Sequence, residues 1–368
     1  MTERVPTYWS YLKLEQLLTL QGGLENNETE LHTDELHFIT VHQTLELWLK
    51  LVLSELRLAR DHLVAVEVPE DHIPEVVHHM RRVIEILKHS VNQFDVVETL
   101  TARDFLGFRD KLFPASGFQS FQMREMEIIL GLEESKRARL GNVSALKYLE
   151  DLAPRSKGGA HAWSHIANAT RETTLRTALH KWLYRTPIHG SSPQDPGDDE
   201  VVDRFLNEYL QAWSNRAEVQ MQQMVETKAA PEDSVRKRYK ETVTYVSSFL
   251  HAKDVDESSR AEVRRVRAAV VFVESYRELP LLAWPRLLLD TAVELEQRRR
   301  DVRLQRAAHL LVGAAVPLQL ECAHVARERV VEALRLEGLV PRRLRLRGRL
   351  VLVRALDVGQ LHRVAPRH

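Results

Sequence analysis

Two histidines stand inside a run that is otherwise apolar and helix-forming, HFITVHQTLELWLK, residues 37 to 50. A neutral imidazole keeps one ring nitrogen as a donor and the other as an acceptor, so on an apolar face it can serve a bound ligand. A lone histidine in such a place is more often a satisfied core residue. His42 falls four residues after Phe38 and three before Leu45 and shares the buried face, whereas His37 lies one position off it and can reach solvent. Further on, Arg109 in FLGFRDKLFPASG carries a planar guanidinium, a group that can take both oxygens of a carboxylate at once and is never deprotonated. The plainer reading makes Arg109 a surface residue paired with Asp104 or Asp110. Phe105, four residues earlier, would lie on the same side of a helix. Ser116 and Gly117 read locally as a turn, and the single cysteine, Cys322, leaves no disulfide framework and no thiolate zinc cluster.

The elements that must hold these residues read as helices. Between Glu35 and about Leu63 the positions Phe38, Val41, Leu45, Trp48, Leu49, Val52 and Leu56 recur at intervals of three and four, the spacing of one helix face. A second long helix is expected from about Pro74 to Leu100, with Val77, Val83, Ile84, Leu87, Val91 and Phe94 inward. Thr101 can cap a short helix through Arg109, with Asp104 three residues on. Pro114 and Gly117 break it, and FQSFQMREMEIILG restarts a helix that Gly131 can end. Residues 186 to 200, TPIHGSSPQDPGDDE, are rich in turn formers and acid and read as a surface loop. Helical spacing returns over residues 201 to 251 and 257 to 276, with no sustained strict alternation of the β kind. Trp48 and Phe121 are expected in the core. The fold class expected is all-α, a multi-helix assembly with one cofactor cleft.

At 368 residues, 44% of them hydrophobic and 28% charged, the composition is globular, and 52 basic residues balance 52 acidic ones. No global charge argues for nucleic acid. The N-terminal stretch lacks an apolar h-region and no run reaches about 18 apolar residues, so neither secretion nor a membrane span is expected, and the expected location is cytoplasmic. The neutral total conceals a division. Residues 297 to 368 hold sixteen Arg, no Lys and six acidic residues, a net +10 that leaves −10 for residues 1 to 296. The same segment has no Phe, Tyr, Trp, Ser, Thr, Asn or Met. Two parts are expected: a helical domain over 1–296 and an atypical Arg-rich segment over 297–368.

The order of residues around His42 adds more than its spacing does. HTDELHFITVHQTLELWLK resembles, nearly residue for residue, the distal-side helix of tryptophan 2,3-dioxygenases, H-D-E-x-x-F-I-x-x-H-Q-x-x-E-L-W-x-K. FLGFRDKLFPASGFQSFQMRE is similar to that family's F/Y-x-x-F-R-x-x-L-x-P-x-S-G-F-Q-S-x-Q-x-R, and TYWSYLKLEQLLTLQ to its T-Y-x-x-Y-L-x-L-x-x-L-L-x-x-Q. YRELPLLAWPRLLLDTAVELE, residues 276 to 296, resembles the segment before the haem ligand. These matches span Thr7 to Glu296, with a less similar middle.

The resemblance implies a haem dioxygenase fold, haem b (iron protoporphyrin IX) as cofactor and O2 as co-substrate. It implies that L-tryptophan is opened at the indole C2–C3 bond to N-formylkynurenine. His42 then accepts the indole N–H over the distal haem face, Phe38 and Phe105 wall the ring, and Arg109 pairs with the carboxylate. Ser116 and Gly117 approach the haem edge and the substrate amino group. Tyr8, Tyr11 and Leu12 cross from a neighbouring subunit, in a homotetramer built as a dimer of dimers. After Glu296 the family's W-R-x-x-H-x-x-M-V pattern and its G-T-G-G-S-S-G loop are not intact. His309, in RAAHLLV with an Arg three before it and a Val three after it, is the axial ligand expected, and His324 the second choice. The Arg-rich segment resembles a GC-rich gene read in a shifted frame; divergence and a basic arm at Arg342 to Arg349 are the alternatives. Two other functions stay open: a related haem monooxygenase acting on a substituted indole, and a catalytically inactive homologue.

Overall fold

The computed structural model of the chain describes residues 5–113, 115–137, 139–140, 143–227 and 231–315; the side chains of residues 102, 118, 136, 139, 140 and 303–315 fall outside the description. The described residues divide into two compact units, one taking in the chain up to Arg60, Glu75–Leu175 and the stretch from Thr291, the other Asp61–Pro74 and Arg176–Asp290. In chain order the helices are α1 (Tyr8–Leu12), α2 (Leu14–Leu17), α3 (Glu35–Val64), α4 (His72–Val97), α5 (Ala102–Leu112), α6 (Phe121–Ile129), α7 (Ala145–Leu152), α8 (Lys157–Ala169), α9 (Leu175–Arg185), α10 (Asp198–Glu226), α11 (Glu232–Leu250), α12 (Glu257–Ser275) and α13 (Ala283–Ala315). The expected all-α class holds. The β pairing among the described residues is a two-residue antiparallel ladder, β1 (Arg139–Leu140) and β2 (Val143–Ser144), and one isolated bridge. No described helix is long and apolar enough to cross a membrane.

In the first unit α3 and α4 carry the largest apolar faces. Val52, Leu53, Leu56 and Ala59 of α3 are buried, as are Val76, Val77, Met80, Val83, Ile84, Leu87 and Phe94 of α4, each at helical spacing. Sealing such a side chain contributes roughly 1.5–3 kcal/mol relative to leaving it exposed. Val91, expected inward, is only half-buried. One carboxylate is shut in between these helices. Glu55 accepts from His79 Nδ1 at 2.7 Å and from Arg82 at 2.7 Å. Burial pushes its pKa up, but these two donors outweigh burial and hold it below the ordinary glutamate value.

Local chemistry explains the helix ends. Thr101 Oγ1 accepts the Asp104 N–H at 3.2 Å and donates its own proton to the Asp104 carboxylate, starting α5. Ser120 Oγ accepts from Met123 N at 3.3 Å and starts α6. Gly131, at φ +82°, ends that helix: the Leu132 N–H reaches back to Glu127 O at 2.9 Å and the Gly131 N–H to Ile128 O at 2.8 Å. α6 then packs with α7 and α8 around Ile128, Leu149, Ala162, Ile166 and Ala169, with Phe121 half-buried at the edge rather than in the centre.

In the second unit the stretch read as a surface loop is pinned inward. Ile188 is fully buried and pairs with Ser191 across a tight turn whose two central residues, His189 and Gly190, both have positive φ. Arg265, itself buried, donates to the carbonyls of Tyr184 at 2.8 Å, Thr186 at 3.2 Å and Ser191 at 3.2 Å and to the Asp198 carboxylate at 2.5 Å. The acid that made this segment look solvated is, at Asp198, the partner of a buried arginine.

Candidate active site

α3 brings Glu35, Phe38 and His42 onto one face, because positions i, i+3 and i+7 align on a helix. His42 Nδ1 lies 2.7 Å from the Phe38 carbonyl oxygen. A carbonyl can only accept, so the proton of the neutral ring sits on Nδ1 and Nε2 is the acceptor. The Phe38 and His42 rings lie 4.0 Å apart between centroids at 34°. Both side chains are half-buried, in contrast to the sealed positions further along the same helix.

α5 supplies the other side. Phe108, only 1% exposed, is its anchor, packed 5.6 Å from Phe38 and 5.5 Å from Phe105 between ring centroids. Phe105 stands 5.9 Å from Phe38. The Arg109 guanidinium carbon lies 5.8 Å from the Phe105 ring centroid, near the outer limit of a cation–π contact. Asp104 is bonded to Thr101 instead, and among the described residues Arg109 forms no ion pair with any carboxylate. The surface-pair reading of Arg109 therefore does not describe this molecule. His42, Phe38, Phe105 and Arg109 form a continuous strip, imidazole at one end and guanidinium at the other.

Close packing sets the distance between the two helices. A Cβ on Gly107 would come 2.5 Å from His32 Nε2, so the imidazole of His32 lies directly on the backbone of α5, and only glycine leaves room. His32 also stands 5.9 Å from the Phe108 ring. Glu35, 2% exposed, accepts from the His32 N–H at 3.1 Å and from Lys111 Nζ at 3.0 Å. Phe108, Gly107, His32, Glu35 and Lys111 were not singled out from the sequence. The local signal for this contact is a glycine inside a helical pattern, which costs about 1 kcal/mol relative to alanine and so marks a packing requirement.

The remaining candidates are distributed unevenly. Ser116 is half-buried, its carbonyl accepting from Gln119 N at 2.8 Å, and Gly117 opens the 3-10 turn Gly117–Gln119 that leads from α5 to α6. Tyr8, Tyr11 and Leu12 on α1 are 70%, 79% and 43% exposed, and no described ring contact or hydrogen bond joins either tyrosine to the His42 strip. His37 corrects its expectation: it is half-buried, and its Nε2 is shut from solvent with no hydrogen-bond partner. His32 Nδ1 and Trp48 Nε1 are sealed in the same way. Trp48 is half-buried rather than in the core. His309 lies on α13 with its side chain outside the described set, and His324 lies outside the described residues altogether.

Comparison with known proteins identifies the family. The family model described as tryptophan 2,3-dioxygenase matches residues 2–312. Tryptophan 2,3-dioxygenase 2 of Ralstonia nicotianae is 41% identical over 308 residues, covering 81% of this chain and 82% of that protein. Tryptophan 2,3-dioxygenase of Sorangium cellulosum is 41% identical over 308 residues, covering 81% of this chain and 73% of that one. A tryptophan 2,3-dioxygenase-like protein of Xanthomonas campestris is 41% identical over 214 residues, 56% of this chain and 77% of the other. With a family match over residues 2–312 and relatives 41% identical over most of both chains, the chain belongs to the tryptophan 2,3-dioxygenase family.

Proposed function

We propose that this protein opens the indole C2–C3 bond of L-tryptophan with O2, giving N-formylkynurenine, with haem b as its cofactor. The observation that carries the reading is the His42–Phe38–Phe105–Arg109 strip with the His42 proton fixed on Nδ1. A tryptophan laid along it offers an N–H to an acceptor nitrogen at one end and a carboxylate to a two-pronged cation at the other.

Phe38, Leu45 and Trp48, half-buried along one side of α3, give an apolar edge that would suit a flat macrocycle. His309, on α13, would be the residue that holds the haem iron. When bound, the haem iron supplies the redox chemistry of oxygen activation, and the protein supplies position and exclusion of water. His42 Nε2 accepts the indole N–H and orients the ring. Phe38 and Phe105 hold the indole in an apolar slot, which also strengthens the polar contacts at either end. Arg109 takes both carboxylate oxygens and fixes the long axis of the substrate, so that C2 and C3 are presented in one register. Ser116 and Gly117, just beyond α5, lie beside the ammonium end. Tyr8, Tyr11 and Leu12, exposed within one chain, close the slot of a second copy in a homotetramer.

Incubation of the purified protein with L-tryptophan under 18O2 tests the reading. A product 36 mass units heavier than tryptophan, carrying two labelled oxygens, is expected, together with a Soret band in the resting protein. A product with a single labelled oxygen would establish monooxygenation instead, and a sample without a Soret band or product would make the chain an inactive homologue.

A further inference from the structure

Lys111 stands two residues beyond Arg109, roughly 200° around α5, and so on the opposite flank of the helix. Between these flanks Phe105 and Phe108 face α3. Lys111 Nζ donates to Glu35 Oε2 at 3.0 Å and comes within 3.7 Å of Glu25 Oε1. Glu35 is the first residue of α3 and is buried, with the same Oε2 also accepting the His32 N–H at 3.1 Å. His32 in turn is the imidazole that lies on the Gly107 backbone.

These contacts form a closed circuit. It runs from α5 through Lys111 to the start of α3, along the chain to His32, and back onto α5 at Gly107. Apolar contact between rings is largely non-directional, so it sets the rotation of a helix about its own axis less firmly than a directional bond does. A charged bond on one flank fixes that rotation. Where it is fixed decides where the other flank points, and that flank carries Arg109.

Resting on the carboxylate reading given above, we propose that the Glu35–Lys111 ion pair is a positioning clamp that fixes the rotation of α5 against α3 and so aims the Arg109 guanidinium at the substrate carboxylate. The hydrogen bond that Lys111 donates to Glu35 raises the Lys111 pKa above the ordinary lysine value, so the lysine keeps its charge at neutral pH. Among the described residues no hydrogen bond or ion pair joins Lys111 to His42, Phe38, Phe105 or Arg109, and its action on substrate passes through the helix.

The test compares L-tryptophan with tryptamine, which keeps the indole and the amine but lacks the carboxylate. Both are measured on the haem-loaded protein by calorimetric affinity, with KM and kcat for L-tryptophan alongside. Lys111→Met should weaken L-tryptophan binding and raise its KM about tenfold, as expected for a guanidinium displaced by a fraction of an ångström to an ångström. kcat should stay within about twofold and tryptamine affinity should not change. Lys111→Arg, which restores the charge, should recover most of the loss. If Lys111→Met does not fold, Lys111→Gln keeps a donor towards Glu35 and should show a smaller loss confined to L-tryptophan. Equal losses for both ligands, or none, would overturn the clamp. Arg109→Met measured in the same series separates the two claims: if it discriminates between the ligands while Lys111→Met does not, only the clamp falls. If Arg109→Met treats both ligands alike, the carboxylate reading falls and takes the clamp with it.

Discussion

The two halves of α3 are built from the same apolar stripe and do different work. From Val52 to Ala59 the stripe is sealed: Val52, Leu53, Leu56 and Ala59 are buried, and Leu56 has no exposed surface at all. From Phe38 to Trp48 the stripe is mixed: Val41 is buried, while Phe38, His42, Leu45 and Trp48 are half-open. The polar groups differ in step. In the sealed half the buried carboxylate Glu55 has two donors, His79 and Arg82, and the Arg57 side chain ties Glu125 at 2.5 Å to Glu172 at 2.8 Å. In the open half two side chains, those of His37 and Trp48, hold a buried nitrogen without a hydrogen-bond partner among the described residues. A helix that satisfies its polar atoms at one end and leaves them unsatisfied beside an open apolar edge at the other is divided between holding the fold and holding a ligand.

The largest effect that would sharpen this division is on stability. Leu56→Ala, in the sealed half, removes a fully buried side chain and should destabilise the protein by about 2–5 kcal/mol in a denaturant titration, while leaving the relative affinities for tryptophan and indole unchanged. A change in ligand preference from this substitution would mean that the two halves are not separate in function.

A smaller effect follows from the charge buried in the same half. Because Glu55 in the folded protein titrates below its ordinary value, the stability it contributes is complete above the unfolded glutamate pKa of about 4.3 and is lost as the pH falls through the folded value. Glu172, where burial is outweighed by Arg57 and Arg60, is held low in the same way and adds to the same window. Melting temperatures from pH 6 down to pH 3 should fall steeply below about pH 4. Glu55→Gln should start lower at pH 6 and fall less steeply. Identical acid slopes in the two proteins would contradict the assignment.

Much of this architecture is legible in the residues themselves. The period of three and four gives α3 and α4, Thr101 marks the start of α5, and Gly131 the end of α6, because each depends on neighbours within a few positions. What periodicity cannot distinguish is a stripe that meets another helix from a stripe that meets an open edge. Trp48 reads as core for that reason and is half-buried in fact. His37 falls one position off the stripe, yet the surrounding packing closes over its Nε2. Contacts that depend on distant pairing are not written in local pattern at all: Glu35 meets Lys111 76 residues later, and Asp198 meets Arg265 67 residues later. The acidic loop before α10 reads as solvated because its composition is polar, and only the position of Arg265 reveals that it is tied down.

The central claim is that His42 and Arg109 grip opposite ends of one indole amino acid. It is tested most directly by equilibrium binding of L-tryptophan and of indole to the haem-loaded wild type, Arg109→Met and His42→Leu. Arg109→Met should lose about 10- to 100-fold in affinity for tryptophan, the worth of a charge-assisted two-oxygen contact, and stay within about twofold for indole. His42→Leu should weaken both ligands alike, by roughly threefold to tenfold, since both present the same N–H. Equal losses of tryptophan and indole affinity in Arg109→Met would contradict the account.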